Sequence, residues 1–487
     1  MLGAAALPLA AACSPTARND ISLPLSLCGT TSPTVNAGDE ARAQLRLRAV
    51  ASTQALTPDQ PAPTRFWGYN GTHPGPLLRV RQGDTPLVVV ENKLAVPTTV
   101  HWHGLRLHNG MDGVPHFTQA PIAPDASFVY KLLCRDAGTF WYHPHLATHE
   151  QLVRGLSGPI IVDEQRPPAV DAELTWVIAD WLLDAEGQLR GDFDDTRDMS
   201  HAGRIGNKVT INGRPAMFAQ DDPDPLRLAR GARVRLRLIN AASARVFALK
   251  FSSDAGFELL IAALDGHPCP LHAPPDGTVM LAPAQRVDLF FDMPDGTVRI
   301  EDRNEPRRAF LMRALTAQGV APRRAPMVAL PANPWIEPNL DKAREVRVVF
   351  EGGARSTLKE ALVANQRVPI AQLVDRYNMA WTVNGVANRE HDHEPFVTVA
   401  CGETVVLRMS NDTQFAHPIH LLGYHFKVLA IDGRAPAVAT VRDTLMMEPH
   451  SSADVAFVAD NPGDWMFHCH ILQHQAGGMS ASIRVSA

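Results

Sequence analysis

The sequence is short of several things, and each shortage removes a class of function. Lys and Arg number 46 against 51 Asp and Glu, a formal net charge of −5. There is thus no positive surplus to hold nucleic acid or an anionic membrane surface. No long amphipathic pattern of helical period stands out, and 39 prolines against 5 tyrosines speak for many turns and loops. The most apolar stretch, Met1 to Ala12, is too short to cross a bilayer, which takes about 20 residues. It reads as the apolar part of an export signal without the basic segment that should precede it. Cys13 follows three alanines, so a lipid anchor is a competing reading, weakened by Ala10 where such signals carry Leu. Cysteines are few. Four of them, Cys28, Cys134, Cys269 and Cys401, could form up to two disulfides in an exported chain. Sequence does not fix which pair.

What is present is a repeat. At about 150 residues per domain, 487 residues suggest about three domains. One pattern, a Gly, an alternating apolar run and an Asn, occurs at Gly83–Asn92, Gly231–Asn240 and Gly402–Asn411. Such alternation predicts a half-buried strand. An Asn-Gly turn signal precedes each copy: Asn70-Gly71, Asn212-Gly213 and Asn384-Gly385. A second pattern joins the outer copies only, where Gly138-Thr-Phe-Trp-Tyr-His-Pro-His145 matches Gly463-Asp-Trp-Met-Phe-His-Cys-His470. The run before it, Pro124 to Tyr130 or Ser452 to Val458, has a middle counterpart at Pro283 to Phe291, but no His pair follows there. The expected architecture is all-β, three related sandwich units rather than helical layers. A tail of residues 1–39 precedes units at 40–166, 167–335 and 336–487, with breaks near Glu164 to Pro168 and in the Pro-rich stretch Pro322 to Pro338. A short helix is expected around Leu358 to Ala364.

Four histidine clusters carry the chemistry: His101-Trp-His103-Gly104, His143-Pro-His145, His417-Pro-Ile-His420, and His468-Cys469-His470 followed by His474 and Met479. Alternate side chains of a strand share a face, so a His-X-His pair aims two imidazoles one way and the intervening residue the other. In His468-Cys469-His470 the imidazoles can serve one metal centre and the thiolate a second. A thiolate, two imidazoles and a weak thioether form the blue-copper ligand set. Cys469, His474 and Met479 supply three of the four, and His417 is the obvious remaining imidazole. Zinc also takes Cys and His, but its sites usually pair Cys with Cys. His108, His116, His149, His201, His267, His272, His391, His393 and His450 stand outside the clusters and read as structural or solvated. His149 and His425 lie near enough for a supporting role beside a ligand.

These motifs resemble those of the three-domain multicopper oxidases, the group that contains laccases and bacterial copper oxidases. The resemblance runs from about residue 40 to the end, in the family's order. It implies three cupredoxin-like Greek-key barrels; the apolar stretch Met1 to Ala12 implies an exported enzyme, periplasmic or extracellular. It implies a type 1 copper on His417, Cys469 and His474 with Met479 axial, and a type 2 copper on His101 and His420. It implies a type 3 pair drawing on His103, His143, His145, His468 and His470. Single electrons from a phenol, an aromatic amine or a reduced metal ion would pass through Cys469 to the cluster, where dioxygen is reduced to water. Asp112 stands where the family often has an acid near the cluster. It reads equally as a proton relay or as a turn Asp before Gly113.

One position departs from the pattern. The family has a further type 3 His two residues after His420, and here that position is Leu422. The internal repeat agrees, since His420-Leu-Leu422-Gly423 aligns with His101-Trp-His103-Gly104. His425 could compensate only through a bulge at Gly423, being an odd number of residues from His420. Three readings therefore stand: an oxidase; a blue-copper electron carrier or copper-binding protein with an impaired cluster; and a scaffold that has lost its chemistry. Met446, Met447 and Glu448 could mark a metal-ion substrate surface or be strand residues.

Overall fold

A computed structural model describes residues 24–36, 38–57, 60–218, 220–304, 309–322, 325–388 and 394–487. Met1 to Ala12, Cys13, His391 and His393 lie outside these. The strands fall into three groups. The first, from Leu45–Gln54 to Gly158–Asp163, forms two four-stranded sheets; the second, from Ala172–Trp181 to Phe310–Val320, forms sheets of seven and five strands. The third, from Arg344–Gly352 to Ser480–Ser486, forms sheets of six and five strands with an added hairpin. Each group closes around its own apolar core. Among the described residues no helix is long and apolar enough to cross a membrane.

The repeat has a structural counterpart in every detail of its pairing. The strands Leu87–Asn92, Arg233–Asn240 and Thr404–Asn411 each pair in parallel with the opening strand of their unit. Each also pairs antiparallel with the strand of the run that precedes the second pattern or of its middle counterpart, Ser127–Lys131, Arg286–Asp292 or Ser452–Val458. The terminal asparagines do one job three times. Asn92, Asn240 and Asn411 are fully buried. Each amide donates to one carbonyl of the following loop (Val96, Arg245 or Phe415) and to one from a distant segment (Ile122, Leu281 or Met447), while its oxygen accepts a backbone N–H two residues on. Asn70-Gly71, Asn212-Gly213 and Asn384-Gly385 all have positive φ at both residues, the turn that tight hairpins favour.

Two local expectations fail. Arg233–Asn240 is buried along its whole length rather than on alternate residues. Its polar positions face the first unit. Arg235 pairs with Asp288 and Glu164, and Arg237 with Asp288, Glu173 and the Thr139 hydroxyl. Buried guanidinium groups survive only so paired. The helix expected around Leu358 to Ala364 is instead a hairpin of Glu360–Val363 with Gln366–Pro369. Ala364 and Asn365 both take positive φ and turn the chain, and the helix follows at Ile370–Tyr377.

Among the described residues one disulfide forms, Cys28–Cys401, tying the N-terminal segment to the third unit across 373 residues. Cys134 and Cys269 remain buried thiols. Replacing Cys28 and Cys401 by serine should destabilise the fold by about 2–4 kcal/mol. Thermal unfolding without reductant checks this, and an unchanged midpoint would count against it.

Candidate metal centres

Strand register sorts the motif residues onto two faces. His101–His103 pairs with Gly138–His143, placing His101 opposite His143. His417–Leu421 pairs with Gly463–Cys469, placing His420 opposite His468 and Ile419 opposite Cys469. By alternation His420 and His468 share one face, while Cys469 and His417 share the other. A spacing of three between His417 and His420 thus sends two neighbours of one strand to two different sites.

On the first face seven imidazoles converge: His101, His103, His143 and His145 from the first unit, and His420, His468 and His470 from the third. All are at most 1 % exposed. Carbonyl acceptors fix the orientation of four. His101 Nδ1 donates to the Asp112 carbonyl (2.9 Å) and His143 Nδ1 to that of Pro144 (2.9 Å). His420 Nδ1 donates to the Asp443 carbonyl (2.8 Å) and His468 Nδ1 to that of Cys469 (2.8 Å). A carbonyl can only accept, so a proton sits on Nδ1, and in the neutral ring Nε2 is the atom that carries the lone pair. The Nε2 atoms of His101, His143 and His420 are buried without a hydrogen-bond partner. Burial, reinforced by neighbouring imidazoles, pushes the pKa values of His103, His143 and His470 well below the ordinary range. His420 is lowered in the same direction, chiefly by burial. Neutral, inward-facing imidazoles in this number are a metal-binding surface.

Their grouping is uneven. His101, His103 and His420 form one set with ligand atoms within 4.8 Å of one another, and His103, His143 and His470 form another. His145 and His468 face each other through Nε2 at 3.4 Å and belong to neither set. Leu422 is wholly buried in the third unit's core, its N–H donating to the Met466 carbonyl. His425 does not take its place. The strand ends at Leu421, and the His425 ring lies edge-on to His267 at 4.3 Å.

On the second face His417, Cys469 and His474 form a compact buried set. Cys469 Sγ is 3.5 Å from His417 Nδ1 and 3.7 Å from His474 Nδ1, and the two nitrogens are 2.9 Å apart. The outer nitrogens are again held. His474 Nε2 donates to the His201 carbonyl at 2.6 Å. His417 Nε2 meets the Thr413 hydroxyl at 2.8 Å, and that hydroxyl donates to Asn411, the repeat's own asparagine. Burial depresses His474 to about 3 and raises the Cys469 thiol far above its ordinary value. A buried thiol stays protonated unless a cation replaces the proton. Met479 is fully buried in the same core as Cys469, and its carbonyl accepts the Cys469 N–H. Trp381 covers His474, ring to ring at 4.2 Å.

Several supporting residues have no signal in the sequence. Asp443 is fully buried; its Oδ1 lies 3.3 Å from His103 Nε2. Arg286 of the second unit grips it through both carboxylate oxygens, at 2.8 and 2.5 Å. This ion pair presses on Gly104, whose φ is +88 and where a Cβ would collide with Arg286. Asp112 is also buried, and neither carboxylate oxygen has a hydrogen-bond partner. His149 pairs with Asp194 at 3.0 Å. Met446 and Met447 are strand residues opposite Pro418 and His417, and Glu448 follows them on the surface.

Comparison with known proteins now adds to the geometry. Family models described as multicopper oxidase match residues 50–167, 172–300 and 364–487. A multicopper oxidase of Mycobacterium tuberculosis, MmcO, is 30% identical over 88% of this chain and 86% of its own length. The crystal structure of a multi-copper oxidase from Pseudomonas thermotolerans superposes with a TM-score of 0.78 at 34% identity, covering 91% of this chain and 98% of that one. Lac15, from a marine microbial metagenome, gives 0.70 at 32% identity over 91% and 100%. With three cupredoxin-like units and paired histidine centres, the chain belongs to the multicopper oxidases, copper-dependent oxidoreductases with oxygen as acceptor.

Proposed function

We propose that this protein is a laccase-like oxidase that couples one-electron oxidation of phenols, aromatic amines or a reduced metal ion to reduction of dioxygen to water. The observation that carries the proposal is the adjacency of the two centres. Seven buried imidazoles stand one residue from a buried Cys–His–His set, with Cys469 between His468 and His470. The donor chemistry fits copper, because thiolate, imidazole and thioether are its preferred ligands and the Nε2 atoms of His101, His143 and His420 are buried without a hydrogen-bond partner. His417, Cys469, His474 and Met479 would hold a type 1 ion. His101 and His420 would hold type 2, and His103, His143, His145, His468 and His470 would share the type 3 pair. Copper in these positions supplies one-electron acceptance at one end and dioxygen reduction at the other.

The protein's own residues do the rest. The carbonyls of Asp112, Pro144, Asp443, Cys469 and His201 fix ring orientation, which outer partners must do for imidazole ligands. Trp381 and the third unit's core exclude water from Cys469. Asp112, buried beside His101 with Oδ1 3.3 Å from Nδ1, is placed to hold a proton for the cluster. Export fits the Cys28–Cys401 disulfide, which needs an oxidising compartment. The second reading, an electron carrier with an impaired cluster, is favoured by one observation, that His145 and His468 face each other outside both sets of three while Leu422 lies in the third unit's apolar core.

Copper per chain and the visible and near-ultraviolet spectrum, on protein purified with copper supplied, test both. Full loading, a strong blue band, the near-ultraviolet shoulder of a coupled pair and oxygen uptake with a one-electron donor are expected for the oxidase. A blue band with a copper deficit and no oxygen uptake would transfer support to the carrier.

A further inference from the structure

A fourth group of possible ligands lies away from both centres: Asp136 from the first unit, His267 from the second and His425 from the third, with one donor atom of each within 4.8 Å of the others. We infer that this junction is a separate metal site, taking an imidazole-preferring transition ion, zinc(II) or copper, that clamps the three units together.

The three side chains are at most 4 % exposed. His267 Nε2 and His425 Nδ1 are buried without a hydrogen-bond partner. Orphaned buried donors cost about 1–3 kcal/mol each, so a native structure seldom carries such a cluster without something to satisfy it. The two rings meet edge to face at 4.3 Å. Burial, with His425 beside it, pushes His267 well below its usual pKa, so its lone pair is available. Burial alone would raise the Asp136 carboxyl, but the charge and hydrogen bonds of Arg106 hold it well below the ordinary range.

Arg106 occupies two lone pairs of Asp136, at 2.7 and 2.6 Å. A carboxylate offers about four such positions, so two remain. His425 Nε2 lies 3.5 Å from Asp443 Oδ2, longer than a hydrogen bond but correctly placed for a carboxylate that orients a metal-bound imidazole through its outer nitrogen. Donors about 3.4 Å apart surround an ion at about 2.0–2.1 Å, so the group needs only a small inward closure. A crevice lined by Arg106, Tyr424, His425 and Asp460, with half-buried Trp335 and Ile336 at its edge, provides a way in. The same Asp443 stands 3.3 Å from His103 Nε2, so an ion here would brace the wall of the trinuclear centre.

The test uses the full-length, copper-loaded enzyme equilibrated with zinc, washed, and counted for both metals. One additional zinc per chain is expected, with an anomalous peak at the zinc edge between Asp136, His267 and His425 in crystals. The thermal midpoint should rise by about 3 °C in excess zinc. His267→Gln and His425→Gln should each lose the zinc and the shift while keeping the blue band, which reports an intact fold. A water with no anomalous signal in that position would overturn the inference, as would zinc retained in both variants. If a variant fails to fold, the anomalous map of the unaltered enzyme decides alone. Either result leaves the oxidase reading standing, since no ligand of the two copper centres is changed.

Discussion

Replacing Cys469 by serine should abolish the blue band and reduce donor-dependent oxygen consumption by more than about 100-fold. Loss of outer partners alone costs metal sites about 10–100-fold, and Cys469 would be a direct ligand. The substitution is close in size and the site is wholly buried, so the strands His417–Leu421 and Gly463–Cys469 should keep their register. Copper per chain should therefore fall by about one ion and not to zero, because the seven imidazoles of the other face are untouched. That pattern separates a lost electron acceptor from a lost fold. A variant that keeps both the blue band and the turnover would remove Cys469 from the mechanism. A variant that loses all copper would show that the two centres assemble together and that the adjacency at residues 468–470 is structural before it is electronic.

Much of this was legible because strands make simple rules. The Asn-Gly turns and the Gly-to-Asn runs locate one strand pair in each unit. The period of two then separates Cys469 from His468 and His470, and the strand register adds that His420 lies on the His468 face and His417 on the Cys469 face. It also places His425 off the cluster face, where the structure puts it. What escaped the sequence depends on contacts between units. The alternation of Arg233–Asn240 marked its arginines as solvent-facing, yet Arg235 and Arg237 are buried because Glu164 and Thr139 of the first unit come to meet them. Asp443 is one carboxylate among many until Arg286, 157 residues away, closes on it. His267 reads as an isolated histidine, and only the packing of three units brings it to Asp136 and His425. The hairpin at 360–369 hid for a different reason. Ala364, half of its turn, carries no turn signature, and the apolar residues around it fit either period.

Replacing Leu422 by histidine should raise copper per chain and oxygen turnover, the latter by about tenfold or more on the scale of ligand-environment effects. Leu422 lies two residues after His420 and one beyond the strand's end, its N–H donating to the Met466 carbonyl; if the His420 face carries on that far, an imidazole there would approach the other imidazoles of that face. A third imidazole would make a trigonal set with the two that face each other through Nε2. The substitution has a cost that makes the prediction specific. In metal-free protein the new imidazole would be a buried, unsatisfied polar group in an apolar core, destabilising by about 1–3 kcal/mol. With copper bound that penalty is offset by ligation. Leu422→His should therefore melt below the native chain when both are metal-free and at or above it when both are loaded. Crossing of the two orders, together with a stronger near-ultraviolet shoulder, would show that the native cluster is one ligand short. If copper content and turnover stay unchanged while the loaded variant remains destabilised, Leu422 is a core residue that the cluster does not miss. The five imidazoles left to the paired site are then sufficient for dioxygen chemistry.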